Sequence, residues 1–188
     1  MGNYFDGYYY KHQKGDDVLS LVVGRSNSEE FIQVITRDSS YNVPFIGENY
    51  FSDKGVSLNI KTDEISLNGD LEYRNLSPIK YDIMEGRLKL NGKEIDFTNG
   101  LGYIEKDSGR SFPSSYVWVQ ANDFDEPCSI MASVADIPFL GFHFKGCICI
   151  IQYNGTEYRM ATYLGVKVIK CAKDKIILEQ GKYKLEID

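Results

Sequence analysis

Charge collects between Gly102 and Pro113, where Glu105, Lys106, Asp107 and Arg110 fall close together. Glu105 and Asp107 stand two residues apart, so on a strand both carboxyls would share one face. A general acid needs a carboxyl whose pKa is raised by burial or by a like-charged neighbour. These two are therefore the candidate acids. The alternatives are solvated turn charges, or an ion pair of Glu105 with Lys106 or Arg110. Just downstream, the alternation of Tyr116-Val-Trp-Val-Gln-Ala-Asn122 puts Tyr116, Trp118, Gln120 and Asn122 on one face. Aromatic walls with a few amide handles suit a mostly apolar ligand pocket, and an outer face meeting water is the competing reading. Near the start, Tyr8, Tyr10 and His12 share a face in the same way. Tyrosine hydroxyls can orient a polar head group or relay a proton, and His12 could titrate near neutrality. An aromatic first strand tied into a sheet explains the same residues. His143, between Phe142 and Phe144, reads as a strand residue with a satisfied ring nitrogen.

Other chemistries lack their residues. The chain has no phosphate-binding Gly-x-x-x-x-Gly-Lys loop, no dinucleotide fingerprint, no Gly-x-Ser-x-Gly elbow and no His-Glu-x-x-His. Its two histidines and its cysteines (128, 147, 149 and 171, with no Cys-x-x-Cys) do not suggest a zinc site, so no metal is expected. Four cysteines in a chain of this size read as buried free thiols. A net charge of −6 without a basic cluster disfavours nucleic acid as a partner. The first residues, Met-Gly-Asn-Tyr-Phe-Asp, lack the charged and apolar regions of a signal peptide, and no run approaches a membrane span. A soluble cytoplasmic protein is expected, with at most peripheral contact with a membrane.

The elements that must position these residues are strands. Val56, Leu58 and Ile60 alternate with Ser57, Asn59 and Lys61, and the pattern repeats around Ile65, Leu71, Leu88, Ile95, Ile176 and Leu185. Asn-Gly occurs at 68–69, 91–92, 99–100 and 154–155, and both residue types tolerate the positive φ of tight hairpins. Asn91-Gly92 and Asn154-Gly155 lie between alternating runs and read as hairpin turns. With 14 Tyr and 10 Phe and no capped 3.6-residue pattern, the fold class is all-β, an antiparallel meander or barrel. Val18 to Val23 and Phe142 to Ile151 are apolar on both faces, which predicts a second layer or a filled cavity over those strands. The chain divides loosely near Met84, giving halves 1–84 and 85–188.

Several of these segments resemble the tocopherol cyclase-like family. The matching pieces are Gly7-Tyr-Tyr-Tyr-Lys11, Gly47-Glu-Asn-Tyr-Phe-Ser52 with Gly55-Val-Ser-Leu58, and above all Gly102-Tyr-Ile-Glu-Lys106, Gly109, Phe112-Pro113 and Tyr116-x-Trp118-x-Gln120-x-Asn122-x-Phe124. The likeness is to bacterial members more than to the plant enzymes. It implies a lipocalin-like β-barrel, often of two related halves. It implies acid-initiated cyclisation or hydration of a prenylated or other apolar substrate, without metal or redox cofactor. A non-enzymatic binder of a hydrophobic small molecule is the alternative. On that analogy Glu105 or Asp107 would be the acid, and Tyr116, Trp118, Gln120 and Asn122 would line the pocket. Trp118 would then shield a carbocation by cation–π contact. Two positions depart from the family pattern. Ser108 stands where the plant motif has Trp, and Tyr81-Asp-Ile-Met84 runs straight into Glu85-Gly-Arg-Leu-Lys-Leu90.

Overall fold

The computed structural model describes residues 4–27, 29–44, 48–74, 81–109, 113–139 and 141–188. Strands account for nearly all of its regular structure, and the chain is all-β as expected. Among the described residues no helix is long and apolar enough to cross a membrane. The chain forms two compact units, Met1–Ser111 and Phe112–Asp188. The expected division near Met84 does not coincide with them, because Tyr81–Leu90 is one strand running through it.

The described residues of the first unit form a ten-stranded antiparallel sheet. Its strands are β1 (Phe5–Lys14), β2 (Asp17–Ser26), β3 (Glu30–Thr36), β4 (Ser40–Pro44), β5 (Tyr50–Ser52), β6 (Gly55–Lys61), β7 (Ser66–Arg74), β8 (Tyr81–Leu90), β9 (Lys93–Asp96) and β10 (Leu101–Gly109). They run in the order β4-β3-β2-β1-β10-β8-β7-β6-β5, with β9 also on β8. In that order β1 and β5 are five strand spacings apart, about 24 Å in a flat sheet. Yet the rings of Tyr10 on β1 and Phe51 on β5 lie 5.9 Å apart. The sheet therefore coils on itself, with a concave face closed over one apolar core that includes Tyr10, Leu19, Leu21, Val34, Leu71, Met84 and Phe97.

Glycine permits the coil. Gly69 and Gly86 have φ of 130°, and a Cβ there would lie 2.3 Å from the Arg87 carbonyl and 2.2 Å from the Asp70 carbonyl. Asn68-Gly69 accordingly sits inside β7, where a close backbone approach needs the missing side chain. The expected Asn91-Gly92 hairpin does form, joining β8 to β9 with φ of 48° and 85°.

The expected closed barrel is corrected to an open coiled sheet. Among the described residues no ladder joins β4 to β5. β5 has three residues, and β4 ends on Pro44, which has no N–H to offer a neighbour. Short edges and proline are both ways to terminate pairing.

The second unit packs two sheets. One is β11 (Ser115–Ala121), β12 (Cys128–Phe139), β13 (Phe142–Tyr153) and β14 (Thr156–Ala161) in that order. The other is β15 (Lys167–Ala172), β16 (Lys175–Gln180) and β17 (Tyr183–Ile187). Asn154-Gly155 makes the β13–β14 turn as expected, with φ of 45° and 77°. Val117, Val119, Ala132, Val134, Cys147, Cys149 and Met160 meet Val168, Ile176, Leu178 and Leu185 in a core of their own. β13 is not buried on both faces, contrary to the sequence reading. Cys147 and Cys149 point inward, whereas Phe142, Phe144 and Ile148 are exposed. All four cysteines are free thiols, two buried and two half-buried.

Candidate functional site

The register between β1 and β10 decides where the candidate acids point. Tyr9 pairs with Glu105, Lys11 with Tyr103 and Gly7 with Asp107, while Tyr8 pairs with Lys106, Tyr10 with Ile104 and His12 with Gly102. Directly paired residues share a face. Glu105 and Asp107 therefore lie on the convex face, opposite to Tyr8, Tyr10 and His12.

On the concave face Tyr8, Tyr10 and His12 form a stacked row, with centroids 5.6 Å and then 6.5 Å apart. Tyr73 and Phe97 close over it, at 5.8 Å and 5.9 Å from the His12 ring. His12 is fully enclosed, and burial holds its pKa down at about 4, so it is a neutral imidazole. Its Nδ1 lies 3.1 Å from the Leu19 carbonyl and its Nε2 lies 2.7 Å from the Tyr73 hydroxyl. A carbonyl only accepts, so Nδ1–H donates to it and Nε2 accepts from Tyr73. Both ring nitrogens are thereby engaged. The Tyr10 hydroxyl is buried with no partner among the described residues, and desolvation pushes its pKa well up.

At the end of this row a cleft of about 340 Å³ opens between Tyr8, Tyr50 and Phe51, with Asp6, Arg25 and Glu30 on its rim. Lys106 sits 5.0 Å above the Tyr8 ring and 3.9 Å from Asp6. Lys106 thus pairs on the face opposite to Glu105, which disfavours the alternative of a Glu105–Lys106 ion pair. Arg110, like Gly47 and Phe112 of the family pattern, lies outside the described residues.

The convex face holds a second polar and aromatic group. Tyr103 donates to Glu105 Oε2 at 2.9 Å, and the Tyr9 and Tyr103 rings lie 6.3 Å apart. The Tyr9 hydroxyl is 3.1 Å from Ser20 Oγ. Tyr103 is buried and Glu105 half-buried, whereas Asp107 is exposed. Burial first, then the Glu105 carboxylate, raise the Tyr103 pKa far above its ordinary value. Burial raises that of Tyr9 too. Both phenols keep their protons, and Tyr103 donates its own to Glu105. The pairing of Tyr103 with Glu105 was open to inspection as an i, i+2 spacing on one strand. Tyr73 and Ser20 carried no local signal.

In the second unit Tyr116, Trp118 and Gln120 lie on the face of β11 turned away from Val117 and Val119. Tyr116 is largely exposed, Trp118 and Gln120 are half-buried and Asn122 is buried. His143 is exposed, with Nδ1 3.9 Å from Asp136.

This arrangement of β8 to β14 can be set against known proteins. Residues 81–168 match the tocopherol cyclase-like family. The tocopherol cyclase-like segment holds Tyr103, Glu105 and Asp107, together with the whole of β11 and β12. It leaves out Tyr8, Tyr10, His12 and Tyr73, and with them the opening segments at Gly7 and Gly47. Among solved structures, kievitone hydratase from Nectria haematococca superposes with a TM-score of 0.56 at 12% identity, over 98% of this chain and 75% of that one. At that identity the likeness speaks for the fold. No curated protein matches the sequence.

Proposed function

We propose that the protein protonates an alkene of an apolar substrate and thereby starts a cyclisation or a hydration, with Glu105 as the acid. The hydrogen bond from Tyr103 to Glu105 carries this reading. It lies inside the tocopherol cyclase-like segment, on a face lined by two phenols whose protons burial retains. The Glu105 carboxylic acid gives its proton to the less substituted alkene carbon, leaving a tertiary cation. A phenol oxygen of the substrate then attacks and releases its proton to the carboxylate, closing a ring. Alternatively water attacks and loses the proton, giving an alcohol. The Tyr103 O–H stabilises the carboxylate left after proton transfer. No oxidant or reductant is consumed. Asp107, exposed on the same face, is the second candidate. On the second unit, Tyr116, Trp118, Gln120 and Asn122 are proposed as ligand-contacting residues in their own right. The lipocalin-like description is likewise a proposal, supported by the coil of the first sheet around its aromatic core.

The test is product formation from a panel of prenylated hydroquinones. Glu105→Gln should lose at least about a hundredfold in rate, in the range general acids supply, and Asp107→Asn much less. Unchanged rates in both variants would sink the assignment.

A second reading, a non-enzymatic binder of a hydrophobic small molecule, is favoured by the Tyr8–Tyr50–Phe51 cleft, which opens on the face opposite to Glu105. Displacement of a fluorescent fatty acid that weakens in Tyr8→Ala, with no turnover of any panel member, is the outcome that selects it.

A further inference from the structure

Five polar side-chain atoms at one end of the β11–β12 ladder are buried without a hydrogen-bond partner among the described residues: Gln120 Oε1 and Nε2, Asn122 Oδ1 and Nδ2, and Ser129 Oγ. Asn122 is 2% exposed and Ser129 0%. The register brings them together. Ala121 pairs with Ile130 and Gln120 with Met131, so Asn122 and Ser129 occupy the next cross-strand position on the face of Gln120. Cross-strand Cβ atoms lie about 5 Å apart and i, i+2 residues about 7 Å apart, within reach of one small group. Leaving such atoms unpaired is costly, and in native proteins nearly all of them are met by another protein group, an ordered water or a ligand.

The chemistry of the atoms narrows the occupant. The two amides and the hydroxyl present acceptors as well as donors. An anion would meet the N–H groups but confront two carbonyl oxygens, and a cation would do the reverse. A neutral hydroxyl both donates and accepts. Beside the three residues the same face carries Trp118, Met131, Ile148 and Ile150, with Ser133 between Trp118 and Ile148 and Gln152 next to Ser129. We infer that Gln120, Asn122 and Ser129 form a binding site for the neutral hydroxyl of an alcohol or phenol whose apolar body lies on Trp118, Met131 and Ile150. The apolar body rests on the reading given under Proposed function, whereas the hydroxyl recognition holds whether or not the protein is an enzyme.

Trp118 is the chain's one tryptophan and reports occupancy directly. Three matched probes, 4-hexylphenol, 4-hexylanisole and 4-hexylbenzoate, are titrated against the full chain by tryptophan fluorescence and calorimetry. The phenol should bind about tenfold more tightly than the ether or the carboxylate, because only it meets donors and acceptors together. Asn122→Leu and Ser129→Ala should each weaken the phenol about three- to tenfold and leave the ether within about twofold. Their Tm should stay level or rise, since each removes an unpaired buried polar group. Equal affinity for phenol and ether, tightest binding of the benzoate, or no binding of any probe would overturn the site. So would a lowered Tm with unchanged phenol affinity, the mark of polar atoms that serve a structural water only. Binding is read without turnover, so loss of hydroxyl selectivity refutes this site alone, whereas inactivity of the enzyme with selective phenol binding refutes only the catalytic reading.

Discussion

The two faces of the β1–β10 ladder carry similar residues and put them to different uses. On the concave face His12 sits among Tyr10, Tyr73 and Phe97 with both ring nitrogens engaged and only 1% exposure. On the convex face, one residue along each strand, Tyr103 donates to a half-buried Glu105 and Tyr9 meets Ser20. A titratable side chain enclosed among aromatic rings, with all its valences taken, stabilises the core and has no proton to spare. A carboxylate at partial burial, bonded by a phenol that burial keeps protonated, is the better candidate for chemistry. Chemical type alone would rank His12 first, and the pleat reverses the order.

Mutations should separate the faces sharply. Phe97→Ala, which empties the ring position against His12, should cost about 3–5 kcal/mol in urea unfolding. A smaller loss, of the size expected for a surface residue, would mean the concave face is not the packed core described.

Acid should act on the concave face next. Burial holds the folded pKa of His12 at about 4, against an ordinary 6.5. Above pH 6.5 both the folded and unfolded chains hold it neutral, and it makes stability no different. Between 6.5 and 4 only the unfolded chain takes up the proton. Stability therefore falls as pH drops, by about 1.4 kcal/mol per unit and about 3 kcal/mol in all, and His12 adds no further loss below 4. Unfolding at pH 7, 5.5 and 4.5 should show this slope in the wild type and its disappearance in His12→Gln. Equal slopes would place His12 in contact with water.

The convex face should respond least in stability. Tyr9→Phe, removing the 3.1 Å contact with Ser20, should cost about 0.5–1.5 kcal/mol. A loss as large as that of Phe97→Ala would erase the distinction between the faces.

Much of this was legible in the sequence, for identifiable reasons. Alternation at Val56–Ile60 and the Asn91-Gly92 and Asn154-Gly155 turns report local backbone geometry, which residue type controls directly. Period two also sorted Tyr8, Tyr10 and His12 from Tyr9 and Lys11. It could not say which face is concave, because that depends on a coil set by Gly69 and Gly86 against carbonyls across the ladder. The bond from Tyr73 to His12 spans 61 residues and has no local signature. Ser129 gains its meaning only from the β11–β12 register. Barrel closure was over-read because alternation describes each strand and is silent about which edges meet.

The most direct test of the proton-donor account is turnover of a prenylated hydroquinone in D2O, followed by mass spectrometry. The account predicts one deuterium on the former alkene carbon, delivered by the wild type and by Asp107→Asn, with the rate cut at least about a hundredfold in Glu105→Gln. Product without carbon-bound deuterium, or labelled product formed by Glu105→Gln at the wild-type rate, would contradict it.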